Sequence, residues 1–156
     1  MNLDQTDIAI LNLLQNDASL STADIAAKVN LSQSPCWRRI NQYEKEGLIN
    51  RKVHVLNREE LGMDIVVFTN IVLSNTSGDA LDNFEQAIAS FPEVVECYTM
   101  TGVMDYMLKI VTKDIRNYEQ FVRHQLAQLP NIREFHSHVA VTRIKDTTAL
   151  PLQTQL

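Results

Sequence analysis

The sequence predicts an α+β protein in two parts: an N-terminal three-helix domain of winged helix-turn-helix type and a C-terminal ferredoxin-like βαββαβ domain. Three observations carry this. Apolar residues in the first third recur at helical spacing in three short, capped runs. Beyond residue 64, strand-like apolar runs and two helical stretches follow in the order strand, helix, strand, strand, helix, strand. The chain has 156 residues, 45% of them hydrophobic and 21% charged, enough to build two small cores. The expected boundaries are 1–50 for the helical domain, 51–63 for a strand linker, 64–145 for the βαββαβ domain and 146–156 for a tail.

Taken in order, Asp4-Gln5-Thr6-Asp7 supplies capping residues for a first helix, with Ile8, Leu11 and Leu14 on one stripe and Ile10 and Leu13 widening it. Asn16-Asp17-Ala18-Ser19 interrupts that pattern. Ser21 or Thr22 caps a second, Ala-rich helix over 23–28, whose Ile25, Ala26 and Val29 face inward. Asn30-Leu31-Ser32 is a tight connection. Ser34-Pro35 then opens a third helix, with Ser34 as N-cap and Pro35 at the first helical position, where a missing N–H loses no hydrogen bond. Trp37, Ile40 and Tyr43-Glu44 mark its buried side, and Gly47 ends it as a residue able to adopt positive φ.

Arg51 to Leu56 alternates apolar Val53 and Val55 with Lys52 and His54 and predicts a short strand. The polar run Asn57-Arg58-Glu59-Glu60-Leu61-Gly62 is turn-like. Strands are then expected over 65–73, 94–101, 104–111 and 132–144, and helices over 79–90 and 115–129, the second stopped by Pro130. The strand Ile-Val-Val-Phe-Thr-Asn-Ile-Val-Leu is apolar on both faces. Helices cover one face, so the other is expected to pack sheet to sheet in a dimer.

Net charge is −5, but it is unevenly spread. Residues 1–27 hold four acids and no base, whereas residues 28–58 hold seven bases against two acids. On the third helix Arg38, Asn41, Gln42 and Lys45 fall at i, i+3, i+4 and i+7, forming a polar face opposite the apolar stripe. A helix lying in a major groove needs such donors: Arg pairs bidentately with guanine, and Asn or Gln with adenine. Two short helices and a tight turn before a basic, capped helix is the helix-turn-helix plan. The same pattern also suits a three-helix bundle that touches nothing, or one that uses this face on protein.

Other classes find little support. No apolar run approaches the roughly 18–20 residues of a membrane helix. Met1-Asn2-Leu3-Asp4 lacks a basic, apolar leader, so a cytoplasmic location is expected. Cys36 and Cys97 are far apart and predict buried, reduced thiols, although a helix N-terminus beside Cys36 also permits a redox role. No nucleotide-binding loop, nucleophile elbow or H-E-x-x-H occurs, so neither an enzyme nor a cofactor is expected. His136 and His138 share a strand face without an identifiable third ligand, so no metal site is expected. Asp105, in Met-Thr-Gly-Val-Met-Asp-Tyr, admits two readings: a turn-stabilising carboxylate, or one that holds an ammonium group while backbone N–H groups around Gly102 meet a carboxylate, as a free amino acid would require.

Leu-Asp-Gln-Thr-Asp-Ile-Ala-Ile-Leu-Asn-Leu-Leu-Gln-Asn-Asp-Ala (3–18), Leu-Ser-Gln-Ser-Pro-Cys-Trp-Arg-Arg-Ile (31–40) and Glu-Lys-Glu-Gly-Leu-Ile (44–49) closely resemble the opening domain of the leucine-responsive/asparagine-type regulators, the Lrp/AsnC family. Glu-Cys-Tyr-Thr-Met-Thr-Gly-Val-Met-Asp-Tyr-Met-Leu-Lys (96–109) resembles the effector loop of its second domain. The resemblance implies a transcription regulator that binds double-stranded DNA, whose βαββαβ domain dimerises, often assembles to octamers, and binds small amino acids between subunits. It carries Ser32, Ser34, Arg38 and Arg39 over to the recognition-helix motif, beside Gln42 and Lys45 from the polar face. It carries Met100, Thr101, Gly102, Met104 and Asp105 over to the amino-acid pocket. Ser137 matches a position where relatives place a hydroxyl against the ligand, and His138 beside it completes the candidate set. Where some members carry a second hydroxyl this chain has Phe135, which favours an apolar or sulfur-containing effector and also leaves open a site that binds nothing. Lys145 to Leu152 resembles the tail of one branch of the family, and its threonines either reach a neighbouring subunit or lie in solvent.

Overall fold

The computed structural model describes residues 2–153. Contacts divide the chain into two units, one holding the residues up to Val55 together with those from Lys145 onward, the other holding Leu56–Ile144.

The first unit contains α1 (Gln5–Asn16), α2 (Thr22–Lys28) and α3 (Gln33–Lys45). Reciprocal capping starts α1: Asp4 accepts from the Asp7 amide at 2.7 Å and Asp7 accepts from the Asp4 amide at 2.8 Å. Ser21 and Asp24 repeat the arrangement on α2. The turn into α3 is tight because Asn30 adopts φ +54° and Leu31 donates back to the Ala26 carbonyl at 2.9 Å. The helices close on Ile10, Leu11, Ile25, Ala26, Cys36, Ile40 and Tyr43. Fully burying an aliphatic side chain of this size contributes about 1.5–3 kcal/mol.

Three sequence expectations change here. The N-cap of α3 is Ser32, not Ser34, which places Pro35 third in the helix. The exchange is tolerated because first-turn N–H groups lack intrahelical partners. Trp37 is 57% exposed and Glu44 is exposed: the buried stripe is Cys36, Ile40 and Tyr43, and Trp37 sits about 100° around the helix from Cys36. Residues 51–56 form no strand, although their alternation suits one, and Val53, Val55 and Leu56 stand exposed. A strand exists only by pairing, and no described segment pairs with this one.

The second unit runs β1 (Ile65–Leu73), α4 (Gly78–Ala89), β2 (Val94–Thr99), β3 (Tyr106–Thr112), α5 (Ile115–His124) and β4 (Ile132–Val139). A short 3₁₀ turn at Leu126–Gln128 follows α5, so the helix ends earlier than its periodicity suggested. The antiparallel sheet has the order β2-β3-β1-β4, the ferredoxin-like arrangement. Asp114 caps α5 by accepting from the Asn117 amide at 2.7 Å. Val67, Ile71 and Leu73 of β1, with Tyr106, Leu108 and Ile110 of β3, pack against Phe84 and Ile88 of α4 and Tyr118 and Phe121 of α5. On the opposite sheet face Val66, Phe68, Met107 and Val111 remain half-buried. β4 ends at Val139, opposite Val67, and Ala140 still donates to the Val66 carbonyl at 2.9 Å; Val141 and Ile144 beyond it are almost fully exposed. No described helix is long and apolar enough to cross a membrane.

Candidate functional site

The polar side of α3 divides into an outward and an inward part. Ser32, Ser34, Arg38, Gln42 and Lys45 are exposed. Ser34, Arg38 and Lys45 cluster within about 40° around the helix, roughly opposite Cys36, so they project from the side that the core leaves open. Gln42 donates to Glu46 one turn on at 2.8 Å, which preorients its amide. This is a row of donors on a helix whose other side is fixed.

Arg39, in the same candidate set, is used differently. Its Nη1 reaches Asp4 Oδ2 at 2.8 Å and Asp7 Oδ1 at 2.5 Å. The hydroxyl of the fully buried Tyr43 donates to the same Asp7 oxygen at 2.5 Å. Burial pushes the Asp7 carboxyl up, but the Tyr43 hydroxyl, the Asp4 amide and the Arg39 guanidinium outweigh it and hold the group below its ordinary value. The hydrogen bonds that Arg39 donates to Asp7 and Asp4 raise its guanidinium in turn, and burial followed by Asp7 raises the Tyr43 phenol. The start of α1 is thereby bolted to the middle of α3. Arg39 therefore serves the attitude of the helix, which sequence spacing did not reveal: Asp4 and Asp7 read as caps, and their second partners come from 32 to 36 residues away. Cys36 beneath the helix is fully buried, and that burial raises its thiol, against a thiolate role.

In the second unit Met100, Thr101, Gly102, Met104 and Asp105 form the β2–β3 turn. The Met100 amide donates to the Asp105 carbonyl at 2.8 Å, and Gly102 takes φ +103°, a conformation side chains resist. The Asp105 amide donates to the Ile71 carbonyl at 2.9 Å and its Oδ2 accepts from the Leu73 amide at 2.7 Å. Asp105 therefore stabilises the turn. Its other oxygen, Oδ1, takes no hydrogen bond among the described residues.

Ser137 and His138 lie on β4, opposite Thr69 and Phe68. Consecutive strand residues project to opposite faces. Ser137 turns toward the helices, bonded to the Tyr118 hydroxyl at 2.5 Å with Thr69 at 3.4 Å, while His138 shares the outer face with Phe68. One chain thus does not gather Ser137, His138 and the turn into one pocket. A groove of about 560 Å³ instead runs between α4 and β2, lined by Glu85, Ile88, Cys97, Thr99 and Tyr106 among others. Sequence reading did not find it, because it pairs residues of one helix with the edge strand that follows.

A helical unit presenting donors from its third helix, joined to a βαββαβ unit with a glycine turn bearing Asp105, defines a DNA-binding protein with a separate ligand-binding domain. Comparison with known proteins agrees on both parts: residues 3–50 match a winged helix-turn-helix DNA-binding domain, and residues 66–150 match the Lrp/AsnC ligand binding domain. The chain belongs to the Lrp/AsnC family of transcriptional regulators. It is 37% identical over 150 residues to the transcriptional regulator AzlB of Bacillus subtilis, covering 96% of each chain. It is also 37% identical to the Bkd operon transcriptional regulator of Pseudomonas aeruginosa, covering 96% of this chain and 98% of that one. Among solved structures, an AsnC family regulator from Agrobacterium tumefaciens superposes with TM-score 0.91 at 41% identity, over 96% of this chain and 97% of that one. The transcriptional regulator NMB0573 of Neisseria meningitidis, solved as its L-Met complex, gives 0.92 at 31% identity over the same shares.

Proposed function

We propose that this regulator binds duplex DNA through Ser32, Ser34, Arg38, Gln42 and Lys45, and that a small amino acid with an apolar or sulfur-containing side chain modulates it from the Asp105 turn. The observation that carries the DNA reading is the division of α3: one side is locked by the Cys36–Ile40–Tyr43 stripe and the Asp7–Arg39 pair, the other presents exposed donors. The amino-acid reading is supported by Asp105 Oδ1, an acceptor beside a glycine turn, with Met100 and Met104 in the same turn. The relative solved with L-Met points to the same ligand class.

The regulator works as a symmetric homodimer that assembles further, up to an octamer. The half-buried outer face of the sheet supplies the first contact, and Ser137 and His138 meet a ligand only across subunits. Two-fold pairing places two α3 helices for a two-fold DNA site. It acts in the cytoplasm as a binding protein and turns nothing over. Functionally the chain divides into a DNA-binding domain at 1–50, a linker at 51–63, an effector domain at 64–145 and a C-terminal segment at 146–156.

A thermal-shift screen against the twenty amino acids tests the effector reading. A ligand selective for the native state raises the midpoint by mass action, by about 2.7 kcal/mol of stabilisation at a hundredfold excess over Kd. The expected hit lies among Leu, Met, Cys and Phe and is lost in Asp105→Asn, which keeps an oxygen for the Leu73 amide but removes the charge. A response that survives in Asp105→Asn rules out the ammonium contact.

A further inference from the structure

The chain beyond β4 rejoins the unit it started from: residues from Lys145 onward group with those up to Val55. At Leu150 the backbone is held on both sides by one side chain. The Leu150 N–H donates to Gln15 Oε1 at 2.8 Å, and Gln15 Nε2 donates to the Leu150 carbonyl at 2.9 Å, across 135 positions of sequence. Gln15 Nε2 also donates to Asn12 Oδ1 at 2.8 Å, which fixes the amide on α1. Two residues on, Leu152 packs against the core of the helical unit, and its amide closes on the Leu150 carbonyl at 2.8 Å. Thr147 Oγ1 accepts from the Ala149 amide at 3.1 Å, and Pro151 fixes one more φ. A solvated tail would show none of this. The carboxamide does both from one rigid group, its oxygen accepting the Leu150 N–H and its nitrogen donating to the Leu150 carbonyl, which suits Gln at position 15 to the clasp.

We propose that residues 145–152 are a strap that docks in cis on α1 and gives the DNA-binding unit a second covalent tether to the effector unit. The effector unit begins at Leu56 and ends at Ile144, and both of its ends lead directly into the helical unit. A domain on one linker turns about it; a domain on two loses that freedom. A rearrangement of the effector unit then reaches α1 through the strap and α3 through the linker. The docking stands on the clasp alone; its use in transmission rests on the regulator reading above.

Gln15→Glu in the full chain tests both parts. It is nearly isosteric and of similar helix propensity, yet it cannot donate and sets a carboxylate against the Leu150 carbonyl. Hydrogen exchange of residues 147–152 and of the last turn of α1 is expected to accelerate at least tenfold, with Leu152→Ala giving the same result by removing the apolar anchor. Affinity for a fluorescein-labelled mixed-sequence duplex is expected to fall at least about fivefold, the low end of interdomain coupling, at unchanged salt slope because no phosphate contact is removed. Unchanged exchange in both variants overturns the strap. Faster exchange with unchanged duplex affinity overturns the transmission. Bis-maleimide cross-linking of Gln15→Cys/Leu150→Cys in a Cys97→Ser background decides cis docking: a monomer-mass product supports it, a dimer-mass product overturns it. Should the wild-type chain bind neither duplex nor amino acid, the regulator reading fails, and exchange and cross-linking still decide the strap.

Discussion

Replacing Asp7 with Ala removes the acceptor that three groups share, and its cost can be worked from their surroundings. Tyr43 is fully buried and donates to Asp7 at 2.5 Å; a buried hydroxyl deprived of its acceptor costs about 1–3 kcal/mol. The Arg39 side chain is 34% exposed and keeps Asp4 at 2.8 Å, so screening by solvent limits its loss to under about 1 kcal/mol. The Asp4 amide loses the returning half of the capping box, about 0.5–1 kcal/mol. The combined expectation is about 3 kcal/mol, which for a unit of this size lowers the midpoint by roughly 12–24 °C. Trp37, the one tryptophan in the chain, lies on α3 and reports unfolding of this unit by fluorescence. Tyr43→Phe removes only the hydroxyl and should cost about 1 kcal/mol. In the Tyr43→Phe background Asp7→Ala should cost correspondingly less, because the two share one bond. A midpoint shift under about 3 °C for Asp7→Ala, or full additivity of the pair, would refute this account of how α3 is held.

Further outcomes follow from the same geometry. Acid should destabilise the helical unit through Asp7: its native carboxyl lies below 3.8, so as pH falls the unfolded chain takes up the proton first and stability drops from that value downward. Asp7→Asn should flatten that limb in pH-dependent urea melts, and an unchanged slope would count against the shift. Arg38→Ala should weaken duplex binding and reduce the log–log salt slope by about 0.9, whereas Arg39→Ala should lower the melting midpoint, measured by Trp37 fluorescence, with the salt slope intact. The opposite pattern would return Arg39 to the DNA-contacting set. Gly102→Ala should cost about 1 kcal/mol or more in denaturant midpoint, because φ +103° is strained for a side chain; no loss would mean that the turn relaxes.

The two domains were legible because their signals are local. Capping residues such as Asp4, Asp7 and Ser21, the positive-φ glycine at Gly47 and the alternating strands each act over a few residues, where chain geometry leaves few choices. The β2–β3 turn around Gly102 was legible for the same reason. Segment ends were less so. The periodicity of 115–129 continues past His124, but the backbone tightens into a 3₁₀ turn before Pro130. β-like residues at 51–56 and 140–144 form no strand, because a strand is a property of two segments.

What the sequence by itself determined is therefore the five helices and the four strands of the second unit, their order, the basic face of α3 and the family. The tertiary structure decided how like residues divide their work. Arg38 and Arg39 are neighbours of equal charge, yet the step of about 100° between them turns one outward and the other onto Asp7. Ser137 and His138 separate to opposite faces of the sheet by the pleat. The clasp of Gln15 on Leu150 joins residues at opposite ends of the chain. Such pairings depend on which segments packing brings within about 3 Å, a condition that folding of the whole chain imposes and that no local run of residues encodes.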